Sequence, residues 1–137
     1  MFGGLFGKTL SMLTREMDVS VLRGNVIANN VANADTPNFK RSVVNFEAQL
    51  KRALDSEKAE RFPQYVTNSR HIAFQKPMDW RDVAPRRVLD YLTEAKNNGN
   101  NVDIEEEGMN ALNNQLLYTT VAQVISSEFQ RVNIVLR

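Results

Sequence analysis

From Asp103 to Arg137 the chain contains no proline, and Tyr118, Val121, Ile125, Phe129, Val132 and Leu136 recur at steps of three and four residues. That spacing stacks side chains on one face of a helix. Met109, Leu112, Leu116, Leu117 and Val124 widen the stripe. Asp103 followed by Glu106 forms a capping arrangement, and Glu105-Glu106-Glu107 places acids at the positive end of the helix dipole. At 1.5 Å per residue, a helix over 102–137 is roughly 50 Å long. Such a helix exceeds the core that a chain of 137 residues can wrap around it. It therefore needs a partner helix of similar length, other copies of the chain, or both.

The other end of the sequence supplies the partner. Thr9 to Ala34 is free of proline, and Leu10, Leu13, Met17, Val21, Ile27 and Val31 fall mostly at helical steps. Asp35-Thr36-Pro37-Asn38 ends this helix near Asn33, because proline disfavours helix in the preceding residue and Asn tolerates a left-handed turn. Residues 1–8, with Gly3, Gly4 and Gly7, read as a flexible tail that orders on assembly, set against a membrane-surface helix built on Phe2, Leu5, Phe6, Leu10 and Leu13. The expected fold is mainly α: terminal helices at 9–34 and 102–137 packed as an antiparallel, coiled-coil-like pair, with residues 35–101 forming a turn and a loop-rich excursion. A bare helix pair leaves apolar edges uncovered, so the chain reads as incomplete on its own.

Within the excursion, Phe39 to Val44 reads as extended and Asn45 to Glu60 as a short helix through Phe46, Leu50, Ala53 and Leu54. Pro63, Pro77, Pro85 and the run Lys96 to Asn101 break regular structure, with short strands expected around Gln64–Val66 and Ile72–Phe74. Trp80, beside Asp79, Arg81 and Asp82, is either the core of a small folded insertion or a binding anchor. Asn25, Asn29 and Asn33 form a four-residue ladder with Asn30 alongside, and Ala28 and Ala32 make a small-residue step. Since Asn is a poor helix former, this ladder is either an exposed polar face or a segment completed by amide hydrogen bonds from a partner.

The sequence offers little chemistry. His71 is the single imidazole, with no acid beside it, and reads as a surface residue; three acids at a helix start are explained by the dipole without a metal. Gly7-Lys8-Thr9 mimics the end of a phosphate-binding loop, but Phe2 stands where its first glycine belongs. There is no Cys, which removes disulfides, thiolate metal sites and thiol nucleophiles. Neither a transmembrane segment nor a cleaved secretory signal is expected. The formal net charge of +1 argues against nucleic acid as a partner, and Lys40-Arg41, Lys51-Arg52 and Arg86-Arg87 read as scattered, solvated pairs. No enzyme, cofactor or metal is expected.

Asn29-Asn30-Val31-Ala32-Asn33-Ala34-Asp35-Thr36-Pro37-Asn38-Phe39-Lys40-Arg41 resembles the N-terminal signature of bacterial flagellar rod and hook proteins, a helix ending N-x-[IV]-A-N followed by T-P-G-[FY]-K. Asn38 stands in place of the usual Gly, a change that positive φ tolerates in both. Gly99-Asn100-Asn101-Val102-Asp103, then Glu106, Asn114-Gln115-Leu116 and Tyr118, resemble a second block, that of the proximal-rod branch of the same family. The two blocks cover roughly residues 8–54 and 97–137.

The resemblance implies a structural subunit of the flagellar basal-body proximal rod whose terminal helices pack as one unit and polymerise into a hollow tube required for motility. It implies ends that are disordered before assembly, and export by the flagellar type III apparatus to the periplasmic side of the inner membrane without direct membrane insertion. Implied partners are further copies, other rod subunits, the adaptor linking rod to membrane ring, and the export apparatus. The expected assembly residues are Leu10, Leu13, Met17, Ile27 and Val31 with Leu117, Val121, Val124, Ile125 and Phe129, so Val121→Asp is expected to abolish assembly and spare the monomer. Asn29, Asn33, Thr36, Pro37 and Phe39 carry the motif and turn, and Phe39 with Val43 matches an export motif of an aromatic followed four residues later by an apolar residue. The alternatives are another axial subunit of the family, or a non-flagellar helical adaptor or export chaperone.

Overall fold

A computed structural model describes residues 4–58, 67–68, 70–71, 78–93 and 96–136. The chain divides into two compact units, residues 1–44 with 87–137 and residues 45–86. The expected excursion at 35–101 is therefore not one region: its two ends belong with the long helices.

The first unit is built on α1, Leu5–Ala32, and α3, Ile104–Val135, of 28 and 32 residues, about 42 Å and 48 Å of helix. Helix α1 begins four residues before the expected Thr9, so residues 5–8 of the expected tail are helical. One interior Gly7 costs only about 1 kcal/mol of helix propensity, and Phe6 extends the apolar spacing of Leu10 and Leu13. Helix α3 starts where its cap predicts, with Asp103 Oδ1 accepting from the N–H groups of Glu105 at 2.9 Å and Glu106 at 3.5 Å.

The pair is antiparallel, because Asn30 reaches Glu107 while Ser20 reaches Asn114. The second contact is reciprocal: Ser20 Oγ donates to Asn114 Oδ1 and Asn114 Nδ2 donates to the Ser20 carbonyl, each at 2.9 Å. Two short strands, β1 (Ser42–Asn45) and β2 (Arg86–Leu89), pair with each other. The N–H of Asp90, just past β2, donates to the carbonyl of Arg41, just before β1, which makes the pair antiparallel. The extended reading of 39–44 thus holds in part, whereas β2 falls where only loop was expected. The strands anticipated at 64–66 and 72–74 lie outside the described residues.

The described residues of the second unit contain α2, Glu47–Lys58, and a 3-10 turn at Trp80–Asp82. Helix α2 begins two residues later than its apolar pattern suggested, and the last two residues of the expected stretch, 59–60, lie outside the described residues. Phe46, Ala53, Trp80 and Val83 are buried, so Trp80 is core rather than an exposed anchor. Ser56 ties α2 to the turn, its Oγ accepting from the Met78 N–H at 3.0 Å and donating to the Ala53 carbonyl at 2.7 Å. Asp79 Oδ1 caps the turn by accepting from the Arg81 N–H at 2.9 Å, and the Arg81 guanidinium lies 5.2 Å from the Trp80 ring centroid, within cation–π range.

Candidate functional site

The turn after α1 is held by side-chain amides. Asn33 closes the helix, its Nδ2 donating to the Asn29 carbonyl at 2.8 Å, and Thr36 Oγ1 donates to Asn33 Oδ1 at 3.4 Å. Asn38 takes φ 59°, the left-handed conformation that its place in the motif anticipates. From the opposite side Asn100, fully buried, donates through Nδ2 to the carbonyls of Asn33, Ala34 and Thr36 at 2.8–2.9 Å, and its Oδ1 accepts from the Val102 N–H at 2.7 Å. Lys96 Nζ adds a 2.8 Å bond to the Ala34 carbonyl. The carbonyls of the turn that follows α1 thus find donors from the segment that leads into α3.

Two further amides join the strands to this turn. Asn101 Oδ1 accepts from the Arg41 N–H at 2.6 Å, and its Nδ2 donates to the Asp90 carbonyl at 2.7 Å, bridging the mouth of the β1–β2 pair. The buried Asn30 carboxamide pairs with both main-chain groups of Ser42, as a neighbouring strand would: Nδ2 donates to its carbonyl at 2.9 Å and Oδ1 accepts from its N–H at 3.0 Å. Asn30 Nδ2 also reaches Glu107 Oε2 at 3.2 Å.

Glu107 is 1% exposed. Its counter-charge is Arg41, whose Nη2 lies 3.0 Å from Glu107 Oε1 and whose Nη1 donates to Glu106 Oε1 at 2.6 Å. The Oε1 contact is ionic without the geometry of a hydrogen bond, and Arg41 Nε and Ser42 Oγ have no hydrogen-bond partner among the described residues. Burial works against the Arg41 charge, but the bond to Glu106 and the attraction of Glu107, Glu106 and Asp90 outweigh it and raise its pKa above the ordinary value. Asp90 moves the other way: the N–H of Leu92, then the Thr93 hydroxyl, hold its carboxyl below the usual 3.8.

This cluster corrects two expectations. Arg41 is buried rather than solvated, and Glu107, read as one of three acids explained by the helix dipole, is a core residue. The buried residue is Asn30, beside the Asn ladder; within the ladder Asn29 is exposed, with Oδ1 accepting from Arg87 Nη2 at 3.2 Å. One cue to Asn30 existed, since it follows Val19 by eleven residues and Val26 by four, and these three share the face of α1 that is buried. Pro37 is exposed and Phe39 half-buried.

The expected packing residues separate into two groups. Val121 is buried, at 7% exposure, and Leu10, Leu13, Met17, Ile27 and Ile125 are half-buried. Ile27 and Leu117 line a cleft of about 390 Å³ with Val43, between α1, β1 and α3. Val31, Leu117, Val124 and Phe129 are exposed to between 37% and 50%. The phase of the α1 stripe differs from the one read in the sequence: Val19 and Val26 point inward, while Val21 and Val31 face out. Because Val121 belongs to the intrachain pair, Val121→Asp attacks the monomer itself and is not a clean probe of assembly. His71 is exposed. Among the described residues there is no group of three or more acids, His or Cys placed to hold a metal, and no helix long and apolar enough to cross a membrane.

Comparison with known proteins bears on what such a surface does. Residues 22–40, the end of α1 and its turn, match the family model described as flagella basal body rod protein. The chain is 43% identical over 133 residues to the flagellar basal body rod protein FlgB of Borrelia hermsii, covering 97% of this chain and 98% of that one. It is 39% identical to the protein of the same name from Borreliella burgdorferi, over 96% and 98% of the two chains. With the Bacillus subtilis protein of that name the identity is 31%, over 96% and 95%.

Proposed function

Because the chain belongs to the flagellar basal-body rod protein family and is a structural subunit of that rod, we propose that it occupies the proximal rod and polymerises there through its two long helices. The observation that carries this reading is the apolar surface that the helix pair leaves uncovered. Val124 and Phe129 are half exposed or nearly so, and Ile134 and Val135 more than two-thirds exposed, along the part of α3 that follows Val121, and Leu136 just past its end is as open. Single exposed apolar residues are ordinary, but several on one helix mark a surface that another protein covers.

Val31, Val124 and Phe129 are the residues of the expected set assigned to contacts with neighbouring subunits. Leu10, Leu13, Met17, Ile27, Val121 and Ile125 hold the intrachain pair, and Leu117 stands at the rim of the cleft. The buried amides and the Arg41–Glu107 pair fix the helices in the geometry that presents these faces. The chain acts by packing, with no catalytic step. Besides further copies and other rod subunits, its partners are the adaptor to the membrane ring and the flagellar export apparatus, with Phe39 and Val43 as the export motif. Its place is the periplasmic side of the inner membrane.

The test is an in-frame deletion of the gene, complemented in trans, with electron microscopy of cell envelopes. Filaments are expected to vanish on deletion, to return with the intact gene, and to stay absent with Phe129→Asp although that variant is made and folded. Filaments that persist after deletion would refute the assignment.

A further inference from the structure

Helix α3 carries apolar side chains on two sides. Its inner side is marked by Glu107, Asn114 and Val121, the first two bonded to α1 and the third buried. At 100° per residue, Met109, Leu112 and Leu116 lie nearly opposite, and they are 59%, 54% and 57% exposed. The widened stripe read from the sequence is therefore two stripes. A helix apolar on opposite sides is made to stand between two neighbours, and among the described residues the helix packed against α3 is α1 alone.

The outer side of α1 is the matching surface. Turning away from the inward Val19, Val26 and Asn30 brings Val21, Asn25, Ala28 and Ala32 outward, and all four are exposed. The two hydrogen-bonded levels of the pair, Asn30 with Glu107 and Ser20 with Asn114, set the heights of both outer stripes. Met109 to Leu116 spans nearly the same height along the pair as Ala28 to Val21, with Met109 level with about Ala28. A sideways step from one chain to the next thus sets long side chains of α3 against short ones of α1, with the helices still alternating in direction.

We propose that Met109, Leu112 and Leu116 dock onto the outer side of α1, at Val21, Asn25 and Ala28, of a second copy of this chain. The proposal rests on the rod reading. Two different faces meet, so the contact is head-to-tail and repeats from copy to copy, whereas a face that met itself would close at a dimer. Long side chains favour the short-residue face because two ridges of Leu and Met hold helix axes further apart than a ridge seated over Ala.

The chain has no Cys, so single substitutions report without background. Cells lacking the native gene would co-express Met109→Cys and Ala28→Cys versions carrying tags of different size, with mild oxidation of isolated envelopes. A disulfide needs Cα atoms within about 7 Å. The expected product is a mixed disulfide between the two versions that dominates over either homotypic species. A dominant 109–109 species, a cross-link only to some other protein, or rods that form without any cross-link would overturn the proposal. Leu112→Gln gives a second reading if the Cys versions do not assemble: filaments should be lost while the soluble chain keeps its helix content. Normal filaments with Leu112→Gln, in cells where deletion removes them, discard this docking and leave the rod reading intact; filaments after deletion discard both.

Discussion

Arg41→Met removes the cation from Glu107 while keeping most of the side-chain volume. In the native chain Glu107 has Arg41 Nη2 at 3.0 Å and Asn30 Nδ2 at 3.2 Å. After the substitution only the amide remains, around a carboxylate that is 1% exposed. Removing one member of a buried ion pair costs about 3–5 kcal/mol, since the remaining charge is held away from water without compensation. For a unit of this size each kcal/mol lowers Tm by about 4–8 °C, so a loss of roughly 12 °C or more is expected. Urea titration followed by helix circular dichroism is the assay, comparing the midpoint with the slope to separate stability from compactness. The double variant Arg41→Met with Glu107→Leu replaces both charges by apolar groups and should recover more than half of the loss. A single variant costing under about 1 kcal/mol, or a double variant no better than the single, would refute the claim that the pair is desolvated and mutually dependent.

Asn30→Ala leaves the Ser42 N–H and carbonyl without their partners and is expected to cost about 2 kcal/mol or more in the same titration; a neutral result would mean that water reaches these groups. Gly99→Ala places a Cβ 2.6 Å from Asn38 Oδ1 at φ +77°, and a loss of about 1–3 kcal/mol should appear as a lower melting temperature. Asn38→Gly should change stability by less than about 1 kcal/mol, while Asn38→Val at the same positive φ should cost more than that. Asp90 has a folded pKa below its unfolded value, so its contribution is present above the unfolded pKa near 3.8 and fades as pH falls through the lower folded value. Asp90→Asn should therefore flatten the stability-versus-pH curve below about pH 4 and leave its slope near neutrality unchanged.

Much of the architecture was legible because it rests on period and punctuation. The proline-free ends with apolar spacing gave both long helices, and Asp103 marked the start of α3 through a bond that forms. Thr36-Pro37-Asn38 gave the turn, down to the positive φ of Asn38. What stayed hidden is long-range and polar. Lys40-Arg41 looks like any exposed basic pair, because nothing local says that Glu107, sixty-six positions on, will meet one member and not the other. Asn100 and Asn101 sit in a run that reads as solvated loop, yet their amides saturate main-chain groups of other segments. The phase of α1 was misread for a related reason: its inner face includes Asn30 and Ser20, polar residues that an apolar count passes over.

The reciprocal Ser20–Asn114 pair and the Asn30–Ser42–Glu107 contacts have a mechanical consequence. Apolar stripes on two helices fit again after a slide of one turn, about 5.4 Å, so greasy contacts alone resist shear weakly. Directional amide bonds do not re-form after such a slide: a single step would break both sets together and strand buried donors and acceptors. Each subunit therefore behaves as a keyed joint, stiff against axial sliding at the end where its helices meet the turn.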